Sequence, residues 1–301
     1  MIHLAVLWFL VRVVGRIPAR LLFPLAYAAG TLAWHLSPGV QRVTRDHMRH
    51  AMGPEASPHE IEDAARACVR ANMYYYVDFA RYSHLTAEET LSALEVLDGF
   101  DLITAAMERG RGVIIVSAHL GAPEMIGQAM AARGLNLAAI TEPLRPPSVH
   151  RFVDGIRRTQ GVGFFGADLA GLRAARAHLA ANGALAILVD RDVLGTGTPY
   201  TFFGEPTRMP TGAVDLALRT GATLLGARVL RGARPDRYRA YVEPIPLAPP
   251  TGDRQADLTA AMRAELAWLE GAIAAAPGQW FAIQPIWSGL TGVTEPRVSR
   301  R

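Results

Sequence analysis

Apolar and polar positions change rhythm twice along the chain. In residues 1–40 the apolar ones crowd together, first from Leu4 to Val14 with Arg12 inside, then from Leu21 to Leu36 with Pro24 and Gly30 inside. Arg16, Pro18 and Arg20 separate the two runs. A membrane-crossing helix needs about 20 unbroken apolar residues, which neither run supplies. The chain starts without the basic residues of a secretory leader. The expectation for 1–40 is therefore a helical segment lying at a membrane interface with Arg side chains at headgroup level, against the alternatives of a true span or a buried helical hairpin.

From residue 57 the apolar positions fall on one helical face: Ile61, Ala65, Cys68, Val69, Met73, Tyr76 and Phe79. Ser57-Pro58-His59-Glu60 has the form of a capping box, so a helix is predicted from there to about Tyr82. The run Tyr74-Tyr75-Tyr76 reads as packing. From Leu94 onward short β-branched runs alternate with helical stretches. Strands are predicted at 94–97, 113–116, 137–141 and 184–189, with helices at 102–108, 124–133, 147–160 and 168–181. Such alternation predicts an α/β fold, a central mostly parallel sheet with helices on both faces. A helix at 211–219, a strand at 224–230 with an antiparallel partner at 238–244, a helix at 255–274 and a closing segment at 277–287 complete it. Residues 195–208 read as an irregular loop. The division is an apolar segment 1–40, a domain 41–292 and a tail 293–301 expected to be disordered.

The chemistry is concentrated where strands end, the edge at which open α/β sheets bind ligands. Strand 113–116 runs into Ser117-Ala118-His119, and Pro123-Glu124 opens the next helix. On one continuous helix, residues five apart point roughly 140° away from each other. His119 and Glu124 therefore meet only if the turn folds back. If they do, an imidazole and a carboxylate can draw the proton from a hydroxyl. The alternative is a loop histidine and an acid favoured by a helix dipole. Glu142, at the end of the next strand, is either a further acid of the site or the start of a turn. Asp190-Arg191-Asp192 ends strand 184–189. Arg191 suits a phosphate, a carboxylate or an oxyanion, and its acidic neighbours can orient Arg191 or His119; a structural ion-pair network is the alternative. Phe202 and Phe203 are either a wall for an acyl chain or core anchors.

Composition narrows the reading. Lys plus Arg number 31 against 27 Asp plus Glu, a net charge of +4, and half the residues are hydrophobic. The basic residues are Arg, which favours phosphate and carboxylate contacts. Arg42, Arg45, His47, Arg49 and His50 cluster just after the apolar segment, either toward lipid phosphates or as a solvated helix face. The single Cys68 rules out an internal disulfide and is expected to fill the core; no metal site is expected. Gly161-Val162-Gly163-Phe164-Phe165-Gly166 matches a dinucleotide fingerprint in form but follows a helix, so a nucleotide role is rejected. No G-x-S-x-G elbow occurs, which disfavours a serine hydrolase.

The box His119-x-x-x-x-Glu124 after an apolar strand resembles that of the lysophospholipid acyltransferase superfamily. Further stretches resemble its lipid A lauroyl/myristoyl and phosphatidylinositol mannoside acyltransferase branch: Val43 to Arg49, Thr141-Glu142-Pro143-Leu144-Arg145, Asp190-Arg191-Asp192, Phe202 to Pro206, and Pro277-Gly278-Gln279-Trp280. Much of the superfamily has Asp where Glu124 stands. The resemblance implies a membrane-associated O-acyltransferase, with His119 as general base and Glu124 orienting it. It implies that Arg191, Glu142, Asp190, Asp192, Arg145, Phe202 and Phe203 contact substrate. The donor would be acyl-CoA or acyl carrier protein, with no cofactor, and the acceptor a glycolipid or lysophospholipid at the cytoplasmic face of the inner membrane. Nucleic acid is not an expected partner. The competing readings are a thioesterase or lipase that uses water, and a non-catalytic lipid-binding module.

Overall fold

Val113, Ile114, Ile115 and Val116 are each at most 7% exposed, and they form the strand from which the molecule is built outward. In the computed structural model, which describes residues 2–142, 144–159 and 161–287, with side chains from Ala5 onward, this strand is β2, Val113–Ser117. The tail expected at 293–301 lies outside the described residues. The other strands are β1 (Leu94–Asp98), β3 (Leu137–Thr141), β4 (Gly163–Gly166), β5 (Ala184–Leu188), β6 (Thr198–Phe202), β7 (Glu205–Met209), β8 (Thr223–Arg231) and β9 (Tyr238–Pro244). The sheet order is β1-β9-β8-β2-β5-β3-β4, with β8 and β9 antiparallel and every other neighbouring pair parallel.

Alternate residues of β2 enter opposite cores, as a strand buried on both faces requires. Ile114 and Val116 join Leu185 and Leu224 in one core, with helices α3 (Pro38–Met52), α9 (Leu169–Ala180), α10 (Gly212–Thr220) and α11 (Arg254–Ala274). Val113 and Ile115 join the other, against α6 (Phe100–Glu108), α7 (Pro123–Ala132) and α8 (Pro147–Arg158). The expected mostly parallel α/β sheet with helices on both faces is the fold.

Local signals explain most boundaries. Helix α4, Pro58–Tyr82, starts at the expected capping box: the Ser57 hydroxyl accepts from the Glu60 amide, and the Glu60 carboxylate accepts from the Ser57 amide at 2.8 Å. The same device at Thr86 and Glu89 opens α5, Ala87–Ser92, a helix too short for its periodicity to show. Residues 195–208, expected to be irregular, instead form nearly all of the antiparallel hairpin β6–β7, which ends at Met209. Its two-residue turn is Phe203-Gly204, with φ of 49° and 79°, the primed geometry that matches strand twist. A phenylalanine at positive φ is not a local turn signal. Tertiary contacts hold it: its amide donates to Glu270, and the Trp287 indole caps the neighbouring Phe202 carbonyl at 3.2 Å.

The apolar start forms α1 (Ile2–Arg12) and α2 (Ala19–Leu36), separated at Pro18. Helix α2 lays Leu22, Phe23 and Ala26 against Val77 of α4, while Leu21, Leu25, Leu32 and Leu36 remain more than half exposed. Among the described residues no helix is long and apolar enough to cross a membrane. Cys68 is fully buried, and burial pushes its thiol up to about 12, so it is inert filling.

Candidate active site

The site follows from strand register. In the parallel pair β2–β5, Ser117 lies opposite Leu188, so both strands end at one level. His119 and Asp190 each stand two residues beyond those partners and are brought side by side across 71 positions of sequence. Nδ1 of His119 donates to Oδ1 of Asp190 at 2.8 Å, and Oδ2 accepts from the His119 amide at 3.2 Å and from the Trp280 indole at 2.8 Å. A carboxylate only accepts, so the proton sits on Nδ1 and Nε2 is left for substrate. Asp190 is fully buried. Burial alone would raise its carboxyl, but the imidazole and the hydrogen bonds from His119 and Trp280 outweigh it and bring it down to about 2. It therefore stays ionised at any physiological pH.

The main chain around His119 is gripped by the segment after the short 3-10 turn Pro277–Gln279. Phe281 donates its amide to the His119 carbonyl at 2.8 Å, and Gly121 donates to the Gln279 carbonyl at 3.0 Å. Gly121 has φ of 64°, and a Cβ there would lie 2.3 Å from the Val229 carbonyl of β8. The turn therefore needs glycine both for its backbone and for its clearance.

This grip corrects the expected role of Glu124. No hydrogen bond or ion pair joins the His119 imidazole to Glu124, although both line one groove. Glu124 instead pairs with Arg157 of α8 and accepts from the Tyr75 hydroxyl of α4 at 3.2 Å, so the carboxylate on the His119 imidazole belongs to Asp190. Burial opposes charge on Arg157, but Glu124 and Tyr75 outweigh it and raise its pKa; burial and Glu124 together raise that of Tyr75, which stays a donor. Tyr75 is thus part of the site as well as of the packing.

His119 opens into a groove of about 920 Å³ that Glu124, Glu142, Arg157, Arg191 and Asp192 also line. Arg191 reaches Glu142 at 3.2 Å, while its buried Nε has no hydrogen-bond partner. Asp192 lines the groove and also accepts from the amides of Thr196 and Gly197, which closes the loop after β5. Four expected substrate contacts are not groove walls. Arg145 is exposed beside it. Phe202 is fully buried, stacked on Trp287, because β6 turns it inward; Phe203 packs with it against Trp280. Asp190 stands behind His119 rather than in the groove. A second cavity, of about 150 Å³ and almost wholly apolar, runs between the sheet and α6–α8. Pro123, Glu124, Ile140, Thr141, Arg157, Ile187 and Leu188 line both spaces, so the Glu124–Arg157 pair stands where they meet.

The basic cluster of α3 is not one lipid-facing patch. Arg42 and Arg49 are exposed, but Arg45 bonds Glu62 at 2.6 Å, His50 bonds Glu205 at 3.0 Å, and His47 is fully buried behind Trp280. Sequence reasoning assigned no role to Arg157, and quoted Trp280 only within a similar stretch. For Arg157 no local signal existed. Asp190 was among the acids expected to orient Arg191 or His119, and its bond is to His119.

With this geometry in place, comparison with known proteins is informative. A phosphatidylinositol mannoside acyltransferase of Mycobacterium tuberculosis is 31% identical over 208 residues, which cover 67% of this chain and 62% of that protein. The chain thus matches less than two thirds of that relative's length. A protein of the same name from Mycolicibacterium smegmatis is 25% identical over 283 residues, 93% of this chain and 88% of its own. The sequence profile of the bacterial lipid A biosynthesis acyltransferases matches residues 2–288, and the chain belongs to that family.

Proposed function

We propose that the protein is a membrane-associated O-acyltransferase that moves a fatty acyl group from a thioester to a hydroxyl of a glycolipid. The observation that carries this is His119, backed by Asp190, opening into a large groove that carries several charged side chains and meets an apolar cavity. Nε2 of His119 takes the proton of the acceptor hydroxyl as its oxygen attacks the thioester carbonyl, and Asp190 steadies the imidazolium. The carbon–sulfur bond then breaks, and the thiolate leaves with that proton. The acyl chain lies in the apolar cavity, and Arg157 or Arg191, both in the groove, offers N–H donors to the developing oxyanion.

Acyl-CoA or acyl carrier protein is the donor. The relatives' names favour a mannosylated phosphatidylinositol as acceptor. Arg191 and Arg157 suit its phosphate, and Glu142 and Asp192 its sugar hydroxyls. The exposed apolar sides of α1 and α2, including Val6, Trp8, Phe9, Leu25 and Leu32, with Arg12, Arg16 and Arg20 among them, support a shallow anchor at the cytoplasmic face of the inner membrane.

The test is incubation of the full chain with palmitoyl-CoA and phosphatidylinositol dimannoside vesicles, with products followed by mass spectrometry. Acylated glycolipid, abolished in His119→Ala, is the expected product. Free fatty acid alone would make the protein a thioesterase, and turnover in neither assay would leave a lipid-binding module.

A further inference from the structure

We infer that Trp280 is a positioning residue of this site: its indole N–H pins the Asp190 carboxylate, and His47 seats the indole. This rests on the acyltransfer reading for its kinetic consequence, but not for its structural one.

Of the three hydrogen bonds to Asp190, two come from His119 itself, one from its ring and one from its main-chain amide. Only the Trp280 bond, at 2.8 Å, ties the carboxylate to another part of the protein among the described residues. Without it Oδ2 keeps only the longer bond from the His119 amide, at 3.2 Å, and so loses the shorter of its two donors. The indole is itself held. Trp280 is fully buried, stacked on His47 at 5.1 Å between ring centroids, with the edge of Phe202 at 6.4 Å. Nδ1 of His47 donates to the Ala282 carbonyl at 3.0 Å, and burial lowers its pKa to about 4, so it remains a neutral ring. Trp280 also bridges Leu120 in the backbone, between the Phe281–His119 and Gly121–Gln279 hydrogen bonds. One short segment thus grips the main chain of the base and the side chain of its partner. The titratable groups around Asp190 are His119 on the β2 turn and His47 on α3; the adjacent Arg191 is turned to Glu142.

Trp280→Phe keeps the ring and removes the N–H. The expected result is a kcat lowered roughly tenfold or more, the worth of a hydrogen bond to a charged group, with KM for palmitoyl-CoA unchanged. The acid limb of kcat moves to higher pH, because a carboxylate short of one donor holds the imidazolium proton more tightly. Trp287→Phe is the control, since that indole donates to the Phe202 carbonyl and not to Asp190. It is expected to lower Tm comparably with kcat and pH profile unchanged. NMR titration of the His119 ring reads the same shift without turnover, and His47→Gln, acting through the seat of the indole, is expected to shift it in the same direction. A Trp280→Phe protein with the parent pH profile and His119 titration, or equal losses of kcat in both tryptophan variants, overturns the inference. If His119→Ala retains activity it is the acyltransfer reading that fails, and the NMR titration still decides the role of Trp280.

Discussion

Glu124, the acidic end of the His119-x-x-x-x-Glu124 box, gives its carboxylate to Arg157 and not to His119. The side chains of the pair are 19% and 14% exposed, and one oxygen of Glu124 and Nε of Arg157 are buried without partners. Glu124→Gln would strand the guanidinium, a defect that costs about 3–5 kcal/mol in buried pairs. The expected outcome is a matching fall in unfolding free energy measured in urea, largely recovered in Glu124→Gln/Arg157→Gln. An unchanged unfolding midpoint in the single variant would mean that the pair is not structural.

The His119–Asp190 pair makes a separate prediction about turnover. His119→Ala is expected to lose roughly 10²–10⁴-fold in kcat, as removal of a general base does. Asp190→Asn is expected to lose a similar factor, because an amide can hold the wrong tautomer. Steady-state rates of glycolipid acylation check both. An Asp190→Asn enzyme with more than half the parent rate would contradict the geometry.

Glu265 of α11 offers a test by pH. It is 1% exposed, its Oε2 has no hydrogen-bond partner, and burial pushes its carboxyl up to about 8 from an ordinary 4.5. Below pH 4.5 both folded and unfolded chains carry the proton and nothing is lost. Between 4.5 and 8 the unfolded chain releases the proton while the folded one keeps it, so stability falls as pH rises. Above 8 the penalty is complete. Glu265→Gln is therefore expected to show a flatter decline of Tm than the parent between pH 5 and pH 9 in scanning calorimetry; parallel curves would refute the assignment.

The exposed apolar face of the first two helices is the remaining test. Trp8, Phe9 and Leu25 are 53%, 55% and 64% exposed. Their combined change to Ser should weaken co-sedimentation with anionic vesicles at least about tenfold, given the free energy of burying three such side chains. Because they are exposed, Tm should barely move. Equal sedimentation of the variant and parent would remove α1 and α2 as the anchor.

How much of this was legible in the sequence differs from element to element. Ser57 and Glu60 announced α4, and four consecutive β-branched residues announced β2, because capping and double-sided burial act within a few residues of chain. His119 was visible for the same reason, as the polar residue just past a buried strand. The β6–β7 hairpin was hidden because Phe203 takes its positive φ from tertiary contacts rather than from a turn-forming side chain.

By itself the sequence determined most of the order of strands and helices, apart from α5 and the β6–β7 hairpin, together with the two apolar runs at the start and a histidine at a strand end. Only the tertiary structure decided which groups meet it. Asp190 reaches His119 because two strands lie parallel and in register, Trp280 reaches Asp190 because the C-terminal segment closes over the turn, and Glu124 is drawn away to Arg157. Hydrophobic period is a local property, readable one turn or one pleat at a time, whereas the partner of a side chain depends on strand order and register, which only the folded sheet sets.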